Sequence, residues 1–168
     1  MAKPIADYKV ELRGFDEMNW ALSRAPKVAR KEIWGAHEQA GMAALRRIRP
    51  LTPVHTGRLR DSLYYEVQML GDRFEAVVGA DAPYALYAEK GRGPGGFPPL
   101  DKIADWCEAK LGDVSLAYVV ARKIATRGTK GAFMFKRGME RAKGEISRLY
   151  ARARDNIVVE LARLARKR

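Results

Sequence analysis

From about residue 137 to residue 167, Ile146, Leu149, Tyr150, Ala153, Ile157, Leu161 and Leu164 recur at helical spacing. At about 100° per residue they form one apolar stripe along a long helix. Arg141, Arg148, Arg152, Arg163 and Arg166 fall near the opposite side. A stripe of that length has to be covered, either by a strand face or by a neighbouring subunit. Glu145 and Asp155 lie among the arginines and are expected to pair with them locally at three-residue spacing.

A second long helix is expected over about residues 26–49. Pro26 suits its first turn, where a missing N–H costs nothing. Val28, Ile33, Ala36, Ala40, Ala44, Leu45 and Ile48 give it an apolar face, and Pro50 and Pro53 end it. At about 1.5 Å per residue it would run some 35 Å. Before it, residues 6–12 alternate as a short strand, and Asp16 can cap a short helix to about Leu22. After it, residues 51–63 read as an extended, turn-rich connection. Residues 63–70 and 73–80 alternate as two strands, with Gly71-Asp72 as a two-residue hairpin turn. Pro83 opens one or two helical turns through Glu89. Residues 91–99 hold four Gly and three Pro and read as a loop. Helices over about 100–110 and 114–126 follow, then a loop over 127–131. With no internal repeat and no linker, the whole of 1–168 is read as one α+β domain. It has a long N-terminal helix, a small antiparallel sheet with a hairpin, and a long amphipathic C-terminal helix.

Charge points to the partners. The 168 residues carry 32 Lys and Arg against 20 Asp and Glu, a net +12. Residues 122–168 hold 15 basic and 4 acidic side chains, a net +11, so an acidic protein surface or a polyanion is expected against the C-terminal third. A single Cys excludes a disulfide framework and multi-cysteine zinc sites, and two His exclude histidine-rich metal centres. No eighteen-residue apolar run occurs, so no membrane partner is expected, and no signal peptide is read at the N-terminus.

Constellations for chemistry are weak. His55, Asp61 and Ser62 have triad chemistry, but they crowd into one turn-rich stretch without a Gly-x-Ser-x-Gly setting. Gly91-Arg92-Gly93-Pro94-Gly95-Gly96 lacks the Gly-Lys-Ser/Thr ending of a phosphate loop. Gly128-Thr129-Lys130-Gly131 has no strand before it. Both are read as flexible loops that order on a partner. Asp101 and Asp105 are one helical turn apart, a thin basis for a metal. His37 is read as packed or solvated, and Cys107 as a small buried residue. No enzyme activity, cofactor or metal is expected. A non-specific nucleic-acid-binding protein is the alternative, resting on the basic C-terminal segment alone.

Three segments in order resemble a known family. They are Pro53-Val54-His55-Thr56-Gly57-Arg58-Leu59-Arg60-Asp61-Ser62-Leu63, then Val77 to Gly91 containing Tyr84-Ala85-Leu86-Tyr87-Ala88-Glu89-Lys90-Gly91, then Ala125 to Phe135. Together they are similar to the tail-completion, or head–tail joining, proteins of tailed bacteriophages, the group named after the tenth gene product of HK97-type phages. Lys90 and Arg92 depart from that pattern, which has an aromatic residue and a threonine there. The resemblance implies a virion protein of the neck or tail, assembled in the host cytoplasm. It implies a homo-oligomeric ring, with a copy number that is a multiple of six, between the portal or connector and the tail-terminator or tail-tube proteins. It marks Thr56, Gly57, Arg58, Leu59, Tyr84, Tyr87, Glu89, Gly91 and Phe135 as motif and interface residues. Physical roles can be assigned to them. Gly57 supplies a positive φ in a tight turn, Leu59 and Leu63 return to the core, and Arg58 and Arg60 face outward. Tyr84 and Tyr87 are expected to share a buried side, and Glu89 to pair with Arg58 or a neighbour. The arginines Arg141, Arg148, Arg152, Arg163 and Arg166 are candidates for contact with channel DNA or an acidic partner.

Overall fold

The computed structural model describes residues 10–11, 27–71 and 73–165. The helix expected over 16–22 lies outside them. The chain is α+β, with two long helices and a small antiparallel sheet. Val10–Glu11 forms β1. The first long helix, α1, spans Lys27–Ile48 and stops where Pro50 removes a donor and forces a 3-10 turn over Arg49–Leu51. Leu63–Leu70 and Arg73–Ala80 form β2 and β3, paired antiparallel from Leu63↔Ala80 to Leu70↔Arg73. Gly71 at the tip takes a φ of 62°. β1 joins the far edge of β3, giving the order β1-β3-β2.

The last long helix, α6, spans Met134–Ala165 and runs antiparallel to α1. Ile48 at the end of α1 faces Gly138, Arg46 meets Glu145, and Glu32 near the start of α1 accepts a hydrogen bond from Asn156 at 3.1 Å. From Ile146 to Ile157 the α6 stripe is therefore covered from within the chain: Ile146, Tyr150 and Ala153 are buried, and Ile157 packs on Ala29 and Ile33. Small residues permit the close approach. Ala36, Ala40, Ala43 and Ala44 line α1, and a Cβ on Gly41 would lie 2.6 Å from the Tyr65 ring. His37 sits where the three layers meet, 5.0 Å from the Tyr150 ring and 6.0 Å from Phe74. Its Nδ1 donates to the Ile33 carbonyl at 2.9 Å. Burial lowers its pKa below the ordinary histidine value, against the opposing pull of backbone hydrogen bonds at Ile33 and Phe74.

Between sheet and α6 the chain makes an excursion. A short helix, α3, covers Ala85–Lys90; a four-residue helical turn at Arg58–Asp61, α2, precedes β2. Gly91–Arg92 (β4) then pairs antiparallel with Thr129–Lys130 (β5). Between those two strands lie α4 (Leu100–Leu111), a 3-10 turn at Val114–Leu116, and α5 (Ala117–Arg127). The two stretches read as flexible loops are thus each other's partners. Gly95 N–H also donates to the Ala125 carbonyl at 2.9 Å, and Arg92 hydrogen-bonds Gly96. This neck depends on glycine: a Cβ on Gly128 would lie 1.9 Å from the Arg92 carbonyl oxygen, and one on Gly131 2.3 Å from that of Glu89.

Candidate interaction surface

The connection after α1 is built by backbone geometry and short hydrogen bonds. Thr52 Oγ1 donates to the Ile48 carbonyl at 3.1 Å, closing the end of α1. Gly57, with a φ of 85°, turns the chain into α2, and the Gly57 carbonyl accepts the Asp61 N–H at 2.9 Å. Leu59 is buried while Arg58 and Arg60 stay exposed, as the turn predicts. Ser62 Oγ donates to the Leu59 carbonyl at 2.9 Å and accepts from Ala82 N–H at 3.3 Å. That hydroxyl ties the turn to the end of β3. Its hydrogen bonds are structural, and the Asp61 carboxylate lies 3.9 Å from Arg49.

Four of the nine motif residues, Thr56, Gly57, Leu59 and Tyr84, line one cavity of about 270 Å³. Thr56, Gly57 and Leu59 line it from one side and Tyr84 and Ala88 from the other, and Trp106 of α4 completes it. Sequence reasoning passed over Trp106, because nothing local ties α4 to a turn some fifty positions earlier. Tyr84 and Tyr87 do not share a buried side. They are 41% and 59% exposed, because α3 turns Ala85 and Glu89 inward instead.

Glu89 does not pair with Arg58. It is 1% exposed, and its carboxylate accepts the backbone N–H of Phe135 at 2.9 Å and of Lys136 at 3.1 Å. Those are unpaired amides of the first turn of α6, so Glu89 caps that helix from a distant segment, where its charge also meets the positive end of the helix dipole. The cap explains why α6 begins at Met134, three residues before the expected start, and why Phe135 lies inside the helix, fully buried, and not ahead of it. The main chain joins in: Ala132 N–H donates to Ala88 and Phe133 N–H to Glu89, at 2.8 and 3.0 Å. Phe133 takes a φ of 51° to make this turn. Gly91 follows with a φ of 81°, and a Cβ there would lie 2.3 Å from the Thr129 carbonyl oxygen.

On α6, Arg141, Arg148, Arg152 and Arg163 are exposed, and Arg166 lies outside the described residues. Arg163 pairs with Glu160 at 3.6 Å. The pairs expected of Glu145 and Asp155 at three-residue spacing do not form among the described residues. Glu145 reaches across to Arg46 and Arg47 of α1 instead, because the antiparallel packing brings those guanidinium groups to it. Partial burial disfavours its charge, but hydrogen bonds and charge from Arg47 and Arg46 prevail and hold its carboxyl below the usual range. Asp155 pairs with the adjacent Arg154 at 2.9 Å.

A second concavity, open and about 670 Å³, lies where α1 ends. Its apolar part is Met42, Leu45 and Pro50, its cationic part is Arg46, Arg49 and Arg60, and Asp61 is its one acid. The signal in the sequence was the run of arginines on either side of Pro50 and Gly57. Among the described residues no group of three or more His, Cys, Asp or Glu is placed to hold a metal, and no helix is long and apolar enough to cross a membrane.

Residues 16–91 match the HK97-gp10-like family, described as "Bacteriophage HK97-gp10, putative tail-component". The matched stretch takes in α1, the Gly57 turn, the hairpin and α3, and ends at the neck. No curated protein and no solved structure matches the chain.

Proposed function

From the premise that residues 16–91 are of the HK97-gp10 type, we propose that this chain is a structural tail component of a bacteriophage that completes the joint between head and tail as a homo-oligomeric ring. The family match is the observation that carries this reading. It covers the elements that line the arginine cleft and all of the motif cavity except Trp106. Physical features support it. Two kinds of surface suited to a neck are present: exposed arginines on α6 for channel DNA or an acidic neighbour, and apolar side chains left uncovered for protein contacts. A contact between unlike surfaces of identical copies closes into a ring when the rotation permits. The copy number is a multiple of six, the neighbours are portal or connector and tail-terminator or tail-tube proteins, and the destination is the virion.

A phage lacking the gene tests this. Filled heads and separate tails, joined again when the chain is supplied, are expected by electron microscopy. Normal virions that lack the chain by mass spectrometry would overturn the proposal.

A further inference from the structure

The excursion between β4 and β5 leaves an unusual amount of apolar surface uncovered. Its buried apolar side chains are few: Cys107, Ala117 and Ala121. Phe97, Leu100, Leu111, Tyr118 and Val119 are 44 to 63% exposed, and the Phe97 and Tyr118 rings lie 5.8 Å apart. Clusters of this kind mark contact surfaces. Beside them, Asp101, Asp105 and Glu108 are exposed and recur at steps of four and three, so they share one flank of α4. Residues 101–113 hold four acidic side chains (Asp101, Asp105, Glu108, Asp113) and two basic ones (Lys102, Lys110), a local net of −2 in a chain of net +12.

That contrast limits how copies can associate. Two molecules of net +12 repel unless an acidic patch of one faces a basic patch of the other. The open cleft at the end of α1 offers the counterpart, with Met42, Leu45 and Pro50 for apolar contact and Arg46, Arg49 and Arg60 for charge, a balance that stays positive with Asp61 in the lining, 3.9 Å from Arg49. Met42 is 48% exposed, and among the described residues Arg60 has no carboxylate partner. We propose that the 93–128 excursion of one copy docks, acidic flank and apolar cluster together, into the arginine cleft of a second copy of this chain. The contact joins two different surfaces, so repetition generates a ring or an open helix and not a closed pair. The assignment rests on the ring reading above and names the surfaces that would make it.

Charge reversal on both sides tests it. The full chain is purified as wild type, as Asp105→Arg with Glu108→Arg, as Arg49→Glu with Arg60→Glu, and with all four changes. Sedimentation velocity reports assembly, and circular dichroism reports folding. Each pair alone is expected to weaken self-association by about tenfold or more, and the four together to restore most of it. Glu66→Arg, on the exposed face of β2, is expected to leave assembly unchanged. The proposal is overturned if the wild type sediments as single subunits, if either folded pair assembles normally, if the fourfold variant is folded but not restored, or if Glu66→Arg is the change that breaks assembly. The neck reading falls separately, by absence of the chain from virions.

Discussion

Glu89 joins two distant segments through one buried side chain. A buried carboxylate is costly unless its oxygens find donors, and here the two donors are amides that α6 cannot satisfy itself. Removing it strands both. Glu89→Ala is expected to cost about 2 kcal/mol or more, lowering Tm by roughly 4–8 °C. Glu89→Gln keeps one acceptor and should lose less. A Glu89→Ala protein that melts with the wild type would show that the cap contributes nothing. His37 gives a second residue-scale prediction. Its folded pKa lies below its unfolded value, so the unfolded state binds more protons as the medium acidifies. Its contribution is fully present above about pH 6.5 and is lost as pH falls from there towards the folded value. Thermal melts between pH 7.5 and 5 should show this slope, and His37→Gln should flatten it. An equal slope in the variant would assign the pH dependence to other groups.

At the scale of elements, two glycines in α6 make opposite predictions. A Cβ on Gly138 would lie 2.4 Å from Ile48 Cγ1 and 2.9 Å from its Cα, so Gly138→Ala must push α6 off the end of α1. The overpacking, about 1–3 kcal/mol, outweighs the helix-propensity gain of about 1 kcal/mol. Gly144 has nothing within 4 Å, so Gly144→Ala should stabilise by roughly 0.5–1 kcal/mol. Denaturant midpoints that move in the same direction for both would refute the close crossing. The long helices and the hairpin were legible in the sequence because their signals are local: Pro50 ends α1, and alternation with Gly71 places β2 and β3. The cap was not, because Glu89 and Phe135 are 46 positions apart and only the folded chain brings them together. The β4–β5 pair was hidden for another reason. Two-residue strands carry no periodicity, and the glycines that let them approach look, in sequence, like freedom. Glu145 misled in the same way, since local arginines stood at plausible spacing while the true partners lay on α1.

For the whole molecule, the uneven charge is the governing quantity. Met134–Ala165 carries six arginines and two lysines against four acids, and its arginines are exposed, where an ion pair adds little to a fold, so they are expected to matter less for stability than for contacts with other molecules. Arg148→Glu with Arg152→Glu is expected to leave the melting temperature within a few degrees of wild type. It should sharply reduce incorporation into virions, measured by quantitative immunoblot of purified particles. Wild-type incorporation and infectivity would show that this face is merely hydrated.

The paired strands at the neck bring residues 92 and 129 side by side. A segment that departs and returns at adjacent points can be shortened, enlarged or replaced without rethreading the rest of the chain. The helical pair on that neck is therefore a place where length and sequence can change while the cradle of long helices and hairpin beneath it is left undisturbed.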